Sequence, residues 1–139
     1  DGPMTEKDLT AFIHARMPLC KTLGIKAEKL AADEVVFTLD WAPGLCTSNG
    51  MIHGGTVMAL ADSAGGAAAF ANLPEGASGT STIESKTNFL GAVREGTVTA
   101  RAKPLHVGGS TIVIETELRN DAGKLIAKVT QTQTVLRPD

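Results

Sequence analysis

The stretch Asn49-Gly50-Met51-Ile52-His53-Gly54-Gly55-Thr56-Val57-Met58-Ala59-Leu60-Ala61-Asp62 decides how the rest of the chain is read. It opens in small and polar residues and turns apolar at Thr56. From there to residue 71 the side chains are nearly all apolar, and Asp62 is the single charge. A helix over 56–71 that is apolar almost all round predicts a central, buried position. Gly65 and Gly66 each cost such a helix about 1 kcal/mol against alanine. Close approach of another backbone would offset that loss.

Working outward toward the N-terminus, Pro43 to Gly50 reads as a loop. Val35 to Trp41 reads as a strand, with Val35, Phe37, Leu39 and Trp41 on one face, and Gly24 to Ala31 as another before the Asp33-Glu34 turn. Residues 5–17 predict a short helix: Leu9, Phe12, Ile13 and Met17 recur at helical spacing, Thr5 or Asp8 can cap it, and Pro18 stops it. Asp1-Gly2-Pro3 reads as a processing remnant and is set aside. Beyond the long helix comes a loop over 73–79, then a run of strands at 80–89, 97–107, 111–119 and 124–136. Gly108-Gly109 and Asn120-Asp121-Ala122-Gly123 supply turns. Helices set apart from an antiparallel meander of about four strands define an α+β fold, a sheet wrapped around one long helix.

Composition narrows the function. The chain has 139 residues, 42% of them hydrophobic and 20% charged, which fits one globular domain over 1–139. A net charge of −2 and an aromatic content of 4% give neither a basic surface nor a stacking platform, so nucleic acid is not an expected partner. No apolar run reaches the ~18 residues of a spanning helix, so no membrane partner is expected and the cytoplasm is the expected location. Cys20 and Cys46 lack metal-ligand spacing, and His14, His53 and His106 are dispersed. We expect no metal and no separate cofactor. Ser63 follows Asp62 without a glycine elbow, so no nucleophilic serine is indicated.

Two features of the opening stretch bear on chemistry. His53-Gly54-Gly55 sits where the long helix starts, so a ligand atom can approach unpaired first-turn N–H groups at the positive end of the helix dipole. That is a ready oxyanion site. Asp62 places a carboxylate in an apolar helix, where it needs a partner, a water channel or a task. Gly54 and Asp62 are eight residues apart, about 12 Å along one helix. A single chain cannot bring them to one ligand, but two antiparallel helices in a dimer can. Each feature also has an ordinary reading. Glycines before a helix commonly make a plain turn, and a histidine there commonly serves as a structural hydrogen-bonder.

The run from His53-Gly54-Gly55 through Leu60-Ala61-Asp62-Ser63 resembles hotdog-fold acyl-CoA thioesterases of the phenylacetyl-CoA type. The resemblance extends to Lys86-Thr87-Asn88-Phe89-Leu90, Gly96-Thr97-Val98 and Gly123-Lys124-Leu125-Ile126-Ala127, and so to nearly the whole chain. It implies that the Gly54 N–H polarises the thioester carbonyl, with Gly55 beside it, and that His53 orients the loop. It implies Asp62, from the opposite subunit, as nucleophile or general base. Thr82 matches a water-positioning hydroxyl, with Thr80 the less favoured register. Relatives often carry an amide six residues before the histidine. Here Thr47 holds that place and Asn49 lies four before, so either Asn49 swings in or Thr47 substitutes.

The resemblance further implies an acyl-CoA substrate, with CoA as part of it, and a homodimer pairing again into a tetramer. Lys86, Arg94 and Lys103 are candidates for the CoA phosphates, although solvated surface charge is the commoner role. Ser63 is a candidate substrate contact. A non-catalytic acyl-binding dimer on the same scaffold is the alternative, and a hydratase is weaker because no Asp-His pair typical of that branch is present.

Overall fold

The computed structural model describes residues 4–139, so Asp1-Gly2-Pro3 lies outside the described residues. The first helix, α1 (Glu6–Arg16), is set by its cap. Thr5 Oγ1 accepts from the Asp8 N–H, and the Asp8 carboxylate accepts from the Thr5 N–H, which satisfies two donors a helix start leaves open. Pro18 does end this helix, but it also opens a second, α2 (Pro18–Leu23), that the sequence reading missed. At a first helical position proline's absent N–H costs nothing and its φ is already helical. Gly24 closes α2 at φ 76°, so the first strand begins at Lys26 and not at Gly24.

The first strands are β1 (Lys26–Leu30) and β2 (Val35–Asp40). Alternation in β2 predicted one buried face, yet Val36 and Thr38 are buried as well. In register, Val36 lies between Lys29 and Arg101, and both of these ion-pair with Glu34. Long cationic side chains converging on one carboxylate lay their stems over the strand between them.

The long helix, α3 (Gly54–Phe70), starts two residues earlier than predicted because His53 caps it. It lies across the sheet on a stripe of Val57, Leu60, Ala61, Ala64, Gly65, Ala68 and Ala69. It is not buried all round: Met58, Asp62 and Phe70 face outward and are exposed. One sheet covers one side, and the small residues of the stripe let the helix sit close to it.

The remaining strands are β3 (Gly79–Phe89), β4 (Thr97–Val107), β5 (Thr111–Arg119) and β6 (Leu125–Leu136). All neighbours are antiparallel, in the order β1-β2-β4-β5-β6-β3. The four-strand meander is therefore corrected: β3 pairs with β6 and not with β4. Helix α3 carries the chain from β2 across the sheet to its far edge, and residues 90–96 return it to the middle. The two edges differ. At β1 the Ala27 N–H is taken by Thr10 Oγ1 of α1 at 2.9 Å, whereas among the described residues the outer edge of β3 has no strand beside it. No helix among the described residues is long and apolar enough to cross a membrane.

Candidate active site

The loop before α3 is tied down before the helix begins. Thr47 N–H donates to Met51 O at 2.8 Å, Ile52 N–H to Val93 O at 2.9 Å, and His53 N–H to Leu45 O at 3.0 Å. Asn49 takes up the tight turn, at φ 64°. His53 then caps the helix through its side chain: Nδ1 accepts from the Gly55 N–H at 2.7 Å. An accepting Nδ1 leaves Nε2 as the ring nitrogen that carries a proton. The His53 carbonyl takes the Thr56 and Val57 N–H groups. Among the described residues this leaves the Gly54 N–H without a partner at the positive helix end.

Gly54 does not have positive φ. A Cβ there would lie 3.1 Å from Phe89 Cζ, a tight contact to which the ring would have to yield. A cavity of about 220 Å³ opens at this point, lined by Thr47, Met51, Gly54, Phe89 and Val93 among others. Thr47 lines it and Asn49 does not. Gly55 contributes no free donor, because its N–H is held by His53.

Asp62 lies two turns along α3, in a different environment. Thr82 Oγ1 donates to Asp62 Oδ1 at 2.8 Å, and Gln131 Nε2 donates to the same oxygen at 3.0 Å. Behind them Gln133 Nε2 donates to Thr82 Oγ1, and Thr80 Oγ1 donates to Gln133 Oε1, each at 2.5 Å. Gly65 leaves room for this network: a Cβ there would run into the Gln131 amide, not into another backbone as the sequence suggested. Nothing stands within 4 Å of the Cβ position at Gly66. Ser63 is turned back along its own helix, donating to Ala59 O at 2.7 Å.

A groove of about 620 Å³ starts at Asp62, Ser63 and Thr82 and runs between α3 and the α1–α2 pair, past Ala67 and Met17 to Phe70. Arg16 lies at its far end, 4.9 Å from the Phe12 ring and 5.8 Å from the Phe70 ring. Cys20 is buried nearby. Burial pushes its thiol pKa up, partly offset by the Ser63 hydroxyl, so it is no thiolate nucleophile at neutral pH.

Thus Thr47 and Gly54 meet in one cavity and Asp62, Ser63 and Thr82 in another, and neither of the two cavities holds both groups. Lys86 is exposed on β3, donating to Asn88 Oδ1 at 2.8 Å, and Arg94 is exposed next to Val93 at the Gly54 end. Lys103 lies apart from these two: it ion-pairs with Glu34 beside Lys29 and Arg101 and lines neither cavity. The sequence reading missed Gln131 and Gln133. Their signal was present in β6, where Val129, Gln131, Gln133 and Val135 fall on one face by strand alternation. Amides interrupting an apolar face mark a polar partner opposite.

An antiparallel sheet folded on one long helix, with an open N–H at the helix start and a helix-borne carboxylate, defines a hotdog protein suited to acyl-transfer chemistry. The chain belongs to the thioesterase superfamily, which residues 49–127 match. An esterase by name from Saccharolobus solfataricus is 32% identical over 117 residues, covering 84% of this chain and 82% of that protein. The 1,4-dihydroxy-2-naphthoyl-CoA hydrolase of Escherichia coli is 29% identical over 114 residues, covering 82% and 83%. A thioesterase crystal structure from Haemophilus influenzae superposes with a TM-score of 0.86 at 27% identity, covering 98% and 93%. The chain is a thioester hydrolase.

Proposed function

We propose that this enzyme hydrolyses an acyl-CoA thioester carrying an aryl-acetyl, aromatic or short-to-medium acyl group, as in the phenylacetyl-CoA-type branch. It acts in the cytoplasm, in a site shared by two subunits. The separation of the Gly54 N–H from Asp62 into two cavities carries this reading. The thioester oxygen sits on the Gly54 N–H of one subunit, where the donor stabilises the negative charge that grows on it. His53 keeps the loop in place and transfers no proton. Asp62 of the other subunit either attacks the carbonyl carbon, giving a mixed anhydride that water opens, or takes a proton from the attacking water. In both routes the C–S bond breaks, water's oxygen joins the acyl carbon, and its hydrogens finish on the acid and the thiol.

The mostly apolar groove beyond Asp62 receives the acyl group, and Lys86 on β3 and Arg94 at the Gly54 end face the CoA phosphates. The dimer covers the outward face of α3 and the open edge of β3, where the backbone N–H and C=O groups that point away from β6 are otherwise unpaired. The test is release of free thiol from a panel of acyl-CoAs. Turnover of aryl or medium-chain members supports the reading. Tight binding without thiol release would instead indicate the non-catalytic alternative.

A further inference from the structure

Strand β6 turns two glutamines toward α3, and both are buried, Gln131 at 0% and Gln133 at 1% exposure. Amides in an apolar interior are unfavourable unless their bonds are made. Here those bonds run to one place. We propose that Gln131, Gln133 and Thr80 are positioning residues that hold Oδ1 of Asp62 and leave Oδ2 to react.

The direction of the chain of bonds is forced. A carboxylate only accepts, so Thr82 must spend its single proton on Asp62 Oδ1. The Thr82 oxygen then has to accept, so Gln133 must present its NH₂ there and its carbonyl to the Thr80 hydroxyl. Gln131 must likewise present its NH₂ to Oδ1. Two donors thus converge on one oxygen, and no donor among the described residues is bonded to the other.

The arrangement has a cost that stability alone does not explain. Among the described residues Gln131 Oε1 is buried with no hydrogen-bond partner, and α3 carries glycine at 65 where a side chain would collide with that amide. A hydrocarbon at 131 would remove the orphaned acceptor. An amide there is useful to the carboxylate, which would otherwise be free to rotate. A rotated carboxylate misplaces the reacting oxygen by an ångström or more, enough to cost about 10²-fold in rate.

This inference rests on Asp62 being the reacting carboxylate. The experiment measures kcat, KM and thermal midpoint on the best acyl-CoA for Gln131→Met, Gln133→Met, Thr80→Val, Thr82→Val and the Thr82→Val/Gln133→Met pair. Each glutamine variant is expected to lose kcat about 10- to 100-fold with KM changed less than about twofold. Thr80→Val, at a half-buried position, gives a smaller loss of the same kind. Gln133 acts only through Thr82, so adding Gln133→Met to Thr82→Val costs nothing further, a non-additivity that a general loss of packing does not produce. Multiplicative losses in the pair, or glutamine variants with wild-type kcat, overturn the relay. Asp62→Asn is measured alongside. If it is active, the assignment of the reacting group fails; if it is inactive while the glutamine variants are active, only the relay fails.

Discussion

In the proposed reaction, Asp62 and Gly54 divide the chemistry between a side chain and a backbone. Asp62→Asn keeps the shape and can still bond to Thr82, but an amide is a poor nucleophile and base. Its turnover should fall by about 10²–10⁴ with the thermal midpoint retained, measured by thiol release and calorimetry. Gly54→Val acts through space, since its Cβ meets the Phe89 ring and its branches fill the cavity over the N–H. Losing one oxyanion donor costs about 10²–10³ in kcat. His53→Ala removes the cap on Gly55 and should cost about 0.5–2 kcal/mol of stability, with a smaller loss of kcat than Gly54→Val. The reverse order of activity would make His53 the chemical residue. At this scale the sequence was legible where a residue type is unusual for its setting, as with Asp62 and His53-Gly54-Gly55. It was not legible for Thr47 against Asn49. That choice depends on which residue takes the left-handed turn, and Asn49 does.

At the scale of elements, alternation and turn residues located every strand, because period-two burial and glycine or asparagine turns are local properties. Helix α2 escaped because proline both ends one helix and begins another. The place of β3 escaped because pairing partners are set by how α3 crosses the sheet, which no local pattern records. The β2–β4 pairing offers a pH test. Asp40 on β2 accepts from Thr97 Oγ1 on β4 at 2.8 Å and pairs with Lys26 on β1 at 3.0 Å. The Thr97 hydrogen bond first, and then Lys26, hold its carboxyl below the usual carboxylate range. A folded pKa below the unfolded one stabilises fully above about pH 4 and is lost as pH falls through the folded value. Asp40→Asn should therefore lower the thermal midpoint slightly near neutrality and converge with wild type in acid. A difference that grows on acidification would contradict the pairing.

For the whole molecule the decisive question is whether one chain suffices. Eight helical residues hold Gly54 and Asp62 about 12 Å apart on a rigid rod, so no loop motion brings them to one thioester. The open edge of β3 and the outward face of α3 provide the surface a second copy would cover. Light scattering should accordingly show a dimer or a tetramer at micromolar concentration. Mixing subunits tests the shared site directly. Asp62→Asn alone and Gly54→Val alone are each expected to be nearly inactive. Refolded together in equal amounts, about half of the dimers pair one of each. In such a dimer one site carries both defects, and the other combines an intact Asp62 with an intact Gly54. The mixture should therefore recover about a quarter of the wild-type rate. If both groups act from the same chain, every site contains a defect and mixing restores nothing. Recovery that disappears when the variants are mixed without subunit exchange would confirm that the active unit forms between chains.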